Sequence, residues 1–283
     1  MNNLKYFLQF LIISLLFLIF KLLGLKLSTI LSGKIFKILG PIFRSNNISY
    51  SNLSIAFPNF DKTKKEQIIS QMWINYGKIL AEYMFIKYFR SSKNIIIENQ
   101  EELELIKKNS KPVIFVSGHF NNFELMAMCI EKSGIDLAAI YRPLNNIFLN
   151  PIMEYIRKKH ICKKQIKKGI SGTKDLLKHY KNGSSIALMI DQRVSEGVNC
   201  NFFNQKALTT TIPAQFVKKF NCKIVPIYIE RFNKINFKLT VNKPISYSNN
   251  ESIEEITLDL NHIIEKMILK NPDQWIWSHN RWK

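Results

Sequence analysis

The segment Val113–Glu124, VIFVSGHFNNFE, predicts a buried β-strand that leads through a glycine into a polar turn and then into a helix. His119 lies in the turn, and Glu124 follows five residues later. Five residues rotate a helical side chain by about 500°, or about 140° net, so the two side chains do not share one helical face. With His119 in the turn and Glu124 in the first or second turn of the helix, we expect the carboxylate to hydrogen-bond the imidazole.

An imidazole with a carboxylate partner is suited to general base catalysis. The carboxylate would fix the tautomer of the ring and stabilise its protonated form. No serine or cysteine beside the pair has the pattern of a nucleophile elbow, so we expect His119 to deprotonate a substrate hydroxyl without a covalent enzyme intermediate. No metal site is expected, because zinc-binding helices place two histidines one turn apart. The alternative is an ordinary capping histidine beside a solvated helix glutamate.

The rest of the chain predicts an α/β fold. The run SIALMI at 185–190 is almost continuously apolar, as expected of a strand that is covered on both faces. Strands and helices alternate through the middle of the chain, which predicts a central, mostly parallel or mixed sheet flanked by helices. The predicted strands are 112–117, 137–141, 185–190, 223–230 and 237–241. The predicted helices lie at about 63–89, 121–132, 147–159, 171–181, 212–220 and 252–269.

Polar side chains follow three of these strands, and ligands of such folds bind at the carboxyl ends of the strands. These side chains are His119, Arg142 and Asp191. Arg142 comes directly after LAAIY, and Arg157 lies in the basic run RKKH. A planar guanidinium suits phosphate, so both arginines are candidates to hold a phosphorylated acceptor. The alternatives are a structural salt bridge for Arg142 and a solvated helix face for Arg157.

Further candidates for substrate binding are Asp191, Gln192 and Thr210. An acid that ends an apolar strand needs a partner, so Asp191 is expected to pair with an arginine or to cap a neighbouring helix. Thr210 belongs to three threonines before a predicted helix start, where hydroxyls and amides bind anions or act as N-caps. The spacing indicates no role for Arg281, and the three tryptophans near it are expected to be core or interface aromatics.

The N-terminus predicts a membrane anchor. The apolar run Tyr6–Phe20 continues past Lys21 to about twenty residues, which is long enough to span a bilayer if Lys21 snorkels. A cleaved signal peptide is the alternative, but no small-x-small site follows the run. Positive charge is heavier after the run than before it, which predicts a cytoplasmic body. We therefore predict an anchor at 1–25 and a catalytic domain at 26–283.

The segment 27–43 carries apolar residues among lysines. It is expected either to lie in the membrane interface as an amphipathic helix or to pack on the core.

The formal net charge is +20, and lysine supplies most of the positive charge. A skewed genome composition can produce such a bias, but a basic surface attracts anionic lipid, a phosphorylated glycolipid and an acidic carrier protein. No nucleic-acid motif accompanies the charge, so we expect no nucleic-acid partner. The four cysteines form no CxxC pair, which predicts free thiols in a reducing compartment.

Five segments, in order, resemble the bacterial lipid A biosynthesis acyltransferase family, the late acyltransferases within the lysophospholipid acyltransferase superfamily. The family hallmark His-x4-Asp/Glu is matched by His119 and Glu124. Where the family commonly has Gly and Trp inside this motif, the chain has Asn121 and Phe123, which concerns the acceptor or chain length more than the chemistry. The segments are NLSIAFPNF at 52–60, GHFNNFE at 118–124, YRPLNN at 141–146, ALMIDQRVSEGVNCNFFNQKALTTTIPA at 187–214 and NPDQWIWSHNRWK at 271–283.

The resemblance implies an acyltransferase of the bacterial inner membrane, and the apolar run and the charge distribution predict its single-pass anchor and a catalytic domain on the cytoplasmic face. It implies transfer of a fatty acyl chain from acyl carrier protein to a hydroxyl of a hydroxyacyl chain on a lipid A precursor, without a cofactor. His119 would be the base, supported by Glu124, and Arg142 and Arg157 would recognise substrate. The alternatives are a coenzyme A thioester as the donor, a glycerophospholipid or other glycolipid as the acceptor, and a non-catalytic membrane-surface binding protein.

Overall fold

The structure, a computed structural model, describes residues 2–283 and is built around a seven-stranded mixed sheet. The strands are β1 (Ile95–Glu98), β2 (Ile114–Ser117), β3 (Leu137–Tyr141), β4 (Lys164–Lys167), β5 (Ser185–Met189), β8 (Ile224–Arg231) and β9 (Phe237–Val241). Their order in the sheet is β1-β9-β8-β2-β5-β3-β4, and all neighbours are parallel except β8 and β9. A separate antiparallel hairpin is formed by β6 (Val198–Phe202) and β7 (Gln205–Thr209). The predicted α/β class is confirmed.

Helices flank the sheet and alternate with the strands in its central part. α6 packs on β3 and β8, and α8 packs on β3, β4 and β5. The helices are α1 (Asn2–Phe43), α2 (Asn46–Ala56), α3 (Lys62–Glu82), α4 (Ile86–Ser91), α5 (Gln100–Asn109), α6 (Glu124–Lys132), α7 (Leu149–Ile156), α8 (Ile170–Lys181), α9 (Ile212–Phe220) and α10 (Ile253–Lys270).

The five predicted strands are present within two residues of their predicted bounds, but two predicted helices differ in a way that matters for the site. The helix predicted from 121 begins at Glu124, because Asn121 has a positive φ of 42° and Phe120 pairs with Trp275. The helix predicted over 63–89 is divided into α3, a 3-10 turn at Tyr83–Phe85 and α4. Tyr83 lies in this turn, and its hydroxyl donates a hydrogen bond to Glu124.

The first helix has the length and hydropathy of a membrane span. Its residues 3–43 contain a window of mean hydropathy 2.4 of which only 6 % is buried. The helix is broken at Gly24, whose φ of 72° and ψ of 168° are not helical. The break lies at the predicted end of the anchor, although the division into an anchor and a catalytic domain stays a prediction.

The half of α1 after Gly24 has two different faces. One face packs on α3, where Ser32 Oγ donates a 2.6 Å hydrogen bond to the carbonyl of Gly77. A Cβ at position 77 would lie 2.2 Å from the carbonyl oxygen of Ser32, so only glycine permits this approach. The other face leaves Leu27, Ile38 and Ile42 exposed. The segment therefore packs on the core, as one alternative predicted, whereas its location in a membrane interface stays a prediction.

Candidate active site

The loop after β2 holds His119 against a carboxylate that comes from β5. His119 Nδ1 lies 2.7 Å from Asp191 Oδ1, and the backbone N–H of His119 donates to Asp191 Oδ2 at 2.8 Å. His119 keeps 20 % of its side chain exposed, whereas that of Asp191 is fully buried. As predicted, His119, Arg142 and Asp191 follow the carboxyl ends of neighbouring strands. The imidazole is therefore fixed on its Nδ1 side, and its Nε2 side is left for chemistry.

The carboxylate of Asp191 is itself held by a third residue. Trp275 Nε1 donates to Asp191 Oδ2 at 2.7 Å. Burial alone would raise the pKa of this carboxyl, but the neighbouring His119 and these hydrogen bonds outweigh it and lower the pKa of Asp191. Gly118 eases this packing, because a Cβ there would lie 2.9 Å from a ring carbon of Phe120 and 3.2 Å from the carboxyl carbon of Asp191.

This pairing corrects two of the sequence expectations. Asp191 was expected to pair with an arginine or to cap a helix, and it pairs with His119 instead. Glu124 was expected on the imidazole, but its Oε1 accepts hydrogen bonds from Arg157 Nε at 2.8 Å, Arg157 Nη2 at 2.5 Å and the hydroxyl of Tyr83. The reason is electrostatic: Arg157 is buried, and a buried guanidinium requires a carboxylate.

Arg157 is therefore part of the wall of the site. Its guanidinium lies 5.3 Å from the centre of the Tyr141 ring. Burial would lower the pKa of Arg157, but the Glu124 carboxylate outweighs burial and raises it, while burial and the same carboxylate raise the pKa of Tyr83. Arg157 does not lie on the solvated helix face considered as the alternative. Arg157 Nη1 is buried and has no hydrogen-bond partner among the described residues.

Arg142 has a different environment. It is exposed, and among residues 2–283 it forms no salt bridge, so the structural ion pair considered as its alternative is not found. It lines the opening of a cavity together with Lys168 and Gln192. Two cationic side chains at one opening provide a place where an anionic group can bind.

The cavity at this opening has a volume of about 310 Å³ and lies between the sheet and α6. Its walls include side chains from β2, β3 and β5, which are neighbouring strands of the sheet. Both His119 and Glu124 also line it. Ser117 Oγ is buried in this wall without a partner among the described residues. The apolar part of the lining includes Phe115, Met126, Ala127, Ile130, Ala139 and Ala187.

Thr210 also lines this cavity. Its hydroxyl accepts a 3.4 Å hydrogen bond from the backbone N–H of Ile212, the first residue of α9. The N-cap residue of α9 is Thr211, whose side chain makes no capping hydrogen bond, so the alternative of N-capping by these threonines is not confirmed. Arg281, for which the sequence indicated no role, is buried and donates to Leu208 O and to Thr209 Oγ1 at 2.9 and 2.7 Å. It therefore fastens the chain after Trp275 to the hairpin.

A second, smaller cleft of about 30 Å³ meets His119 from the side of α3. It is lined by Asn75, Tyr76, Phe123 and Asp273, among others. His119 thus lines both spaces, and the smaller one has room for about one water molecule.

A buried ion pair holds the loop that carries His119. Arg231 and Glu82 are joined by two hydrogen bonds, one of them 3.1 Å between Nη2 and Oε2. Asn122 donates to Glu82 at 3.0 Å, and Arg231 Nε donates to Asn121 Oδ1 at 3.3 Å. Sequence reasoning missed this clamp and the roles of Tyr83 and Trp275. No local spacing indicates them, because each partner lies 40 or more residues from the residue it holds.

Comparison with known proteins agrees with the family resemblance of the sequence motifs and extends it to the whole chain. Residues 1–283 match a protein family described as bacterial lipid A biosynthesis acyltransferase. A lipid A biosynthesis acyltransferase of Haemophilus influenzae is 24 % identical over 242 residues, covering 83 % of this chain and 76 % of the relative. A lipid A biosynthesis palmitoleoyltransferase of Escherichia coli is 22 % identical over 253 residues, covering 85 % and 79 % of the two chains.

Among solved structures, a 1-acyl-sn-glycerophosphate acyltransferase from Thermotoga maritima aligns with a TM-score of 0.42 and 13 % identity, covering 87 % of this chain and 98 % of the other.

Proposed function

Because the chain belongs to the bacterial lipid A biosynthesis acyltransferase family, we propose that it transfers a fatty acyl chain from acyl carrier protein to a hydroxyl of a hydroxyacyl chain on a lipid A precursor. The observation that carries this proposal is the hydrogen bond between His119 and the buried Asp191. It orients a general base in the wall of the larger cavity, where a substrate hydroxyl can reach it. A non-catalytic binding protein has no need of such an arrangement.

The chemistry follows from the tautomer of His119. With Asp191 ionised, Nδ1 carries the proton and Nε2 accepts one. As Nε2 takes the proton of the acceptor hydroxyl, the oxygen attacks the thioester carbonyl carbon. The carbon–oxygen bond forms and the carbon–sulfur bond breaks. The imidazolium then returns its proton to the departing thiolate, so that the thiol leaves and His119 is restored.

The cavity gives each substrate a place. Its apolar interior suits the acyl chain, which gains free energy when it leaves water. Arg142 and Lys168 at the opening suit the phosphate of the acceptor, and Gln192 and Thr210 offer neutral polar contacts there. Glu124 has a supporting role: it neutralises Arg157 and so preserves the wall beside His119.

The proposed location is the inner membrane, with α1 before Gly24 as a single-pass anchor and the rest on the cytoplasmic face. The hydropathy of α1 supports the anchor, and the distribution of positive charge supports the orientation. The net charge of +20 favours an anionic membrane surface and an acidic carrier protein as partners.

The test uses the full-length protein in lipid nanodiscs with an acyl-carrier-protein thioester and a purified lipid A precursor. We expect a product heavier by one acyl group, and we expect His119→Ala to abolish it while the thermal unfolding midpoint stays close to that of the wild type. Mass spectrometry of lipids from a deletion strain gives the second arm. Loss of one acyl chain from lipid A supports the proposal, whereas unchanged lipid A with altered phospholipids assigns a glycerophospholipid acceptor instead.

A further inference from the structure

We propose that Ser117 is a further catalytic residue, whose hydroxyl donates a hydrogen bond to the carbonyl oxygen of the acyl thioester. The bond strengthens as that oxygen becomes negatively charged during the transfer. The inference rests on the acyl transfer of the proposed function, and it adds a group that stabilises the transition state beside the base His119.

The first step is the position of this side chain at the end of β2. Phe115, Ser117 and His119 are alternate residues, and all three line the larger cavity. Successive side chains of a strand point to opposite faces of a sheet, so alternate residues share one face. Ser117 therefore lies between the apolar interior of the cavity and the general base.

The second step is that the Ser117 hydroxyl is buried and unsatisfied. The residue is 1 % exposed, and its Oγ has no hydrogen-bond partner among residues 2–283. Its neighbour on β5 is Met189, whose thioether is at most a weak acceptor. A buried polar group without a partner is costly, so one that persists in a native structure indicates a bound water, a ligand or a catalytic use.

The third step is that this hydroxyl is the uncommitted donor near the base. Among the described residues, six side chains have a buried nitrogen or oxygen atom without a partner. Of these, Ser117 and Arg157 line the larger cavity. The guanidinium of Arg157 is already bound to Glu124 by two hydrogen bonds. The Ser117 hydroxyl is neutral and free to turn toward a carbonyl beside His119.

The place of that carbonyl follows from the two ends of the proposed reaction. The acyl chain occupies the apolar interior beside Phe115, and the acceptor hydroxyl gives its proton to His119 Nε2, so the reacting carbonyl lies between them. As the acceptor oxygen bonds to the carbonyl carbon, the π electron pair moves to the carbonyl oxygen. The Ser117 hydroxyl keeps its own proton and stabilises this charge. When the carbon–sulfur bond breaks, the pair returns and the carbonyl forms again.

The experiment measures single-turnover transfer by the full-length protein in nanodiscs, with an acyl-carrier-protein thioester and a lipid A precursor. We expect Ser117→Ala to lower the rate by about 10²–10³-fold, as loss of one such donor does, with little change in the apparent KM for the acceptor. Its thermal unfolding midpoint should not fall, because no hydrogen bond within the protein is lost. Ser117→Thr, which keeps a hydroxyl and suits a strand, should recover much of the rate.

The matched control is Ser49→Ala. Ser49 is also fully buried, and its Oγ also lacks a partner among the described residues, but it lies on α2 and does not line the cavity. We expect this variant to stay within about tenfold of the wild-type rate. A rate for Ser117→Ala within about tenfold of the wild type overturns the inference and leaves its hydroxyl with a structural water at most. An equal loss in Ser49→Ala also overturns it, since the loss would then not depend on the cavity.

A second readout separates the inference from the reaction itself. The thioester donor carries an isotope-labelled carbonyl and is bound to His119→Ala, which leaves it unreacted, so that its carbonyl band can be read by isotope-edited infrared spectroscopy. A hydrogen bond lowers the carbonyl stretching frequency, and adding Ser117→Ala should therefore raise it. An unchanged band overturns the role of Ser117 even where acyl transfer is confirmed. Absence of transfer by the wild-type protein overturns the proposed function instead, and the band still tests the hydrogen bond.

Discussion

The proposed role of Asp191, which is to orient His119 as the general base, can be tested with a single substitution. In Asp191→Asn the side chain keeps its shape, and its amide oxygen can still accept from the His119 backbone N–H and Trp275 Nε1. Its amide nitrogen, however, is then placed against His119 Nδ1, 2.7 Å away in the native protein. A donor at that place favours the tautomer with the proton on Nε2, which cannot take a proton from the acceptor hydroxyl.

The expected effect is large on the rate and small on the fold. The same exchange of carboxylate for amide behind a catalytic histidine lowers kcat by about 10⁴ in a hydrolase triad, which corresponds to about 5 kcal/mol of barrier. We expect a loss of this order in acyl transfer. The free energy of unfolding should change little, since the two N–H donors stay satisfied.

The control variant is Asp191→Ala, which leaves the His119 and Trp275 N–H groups buried without an acceptor. Each unsatisfied donor costs about 1–3 kcal/mol, so this variant should lose stability as well as rate. Single-turnover transfer and thermal unfolding are measured on the three proteins together. If Asp191→Asn stays within about tenfold of the wild-type kcat, Asp191 does not orient the base, and the mechanism is wrong.

Three further predictions concern the surroundings of the base. Arg142→Ala should raise KM for the phosphorylated acceptor by roughly 10- to 150-fold, with little change in kcat, because a charge-assisted hydrogen bond contributes about 1.5–3 kcal/mol; with a dephosphorylated acceptor the difference should vanish. Glu124→Gln should lower the melting temperature, because the buried Arg157 loses its counter-charge, while kcat falls by less than about tenfold. A loss of kcat as large as that of Asp191→Asn, with an unchanged melting temperature, would instead make Glu124 the partner of His119, as its spacing first indicated. Burial lowers the pKa of His279 from 6.5 to about 4, so the unfolded chain binds more protons than the folded chain between these two pH values. Stability is therefore retained above pH 6.5 and lost as the pH falls toward 4. His279→Gln should flatten this part of a profile of urea midpoint against pH, and an unchanged slope would contradict the assignment.

The sequence was sufficient for the centre of the fold because the central strands are buried on both faces. β2, β3 and β5 are short, mostly apolar runs, and a short apolar run of this kind predicts a strand that is covered on both faces. The elements that were missed are those whose formation depends on neighbours. β1 and β4 are four-residue strands at the two edges of the sheet, and the turn of the hairpin, Phe203–Asn204, has two positive φ values but no glycine to indicate it.

The site was predictable in its residues and not in its pairings. His119 was identified by a strand that leads into a polar turn, and Asp191 by a charge after an apolar strand. The hydrogen bond between them joins positions 72 residues apart, so it depends on β2 and β5 being neighbours, which spacing along the chain does not reveal. Glu124, five residues away, is the only carboxylate close to His119 in the sequence, and it was therefore predicted to be the partner of the imidazole.

The hydrogen bond between Trp275 and Asp191 makes the active site depend on the folding of the C-terminal segment. The indole comes from a segment 84 residues beyond the carboxylate that it holds, and Asn52 near the other end of the domain donates to the carbonyls of Trp277 and His279. The base is therefore oriented only after distant parts of the polypeptide have come together. A nascent or proteolytically shortened chain that lacks that segment would lose the indole that holds Asp191, and its His119 would not be oriented.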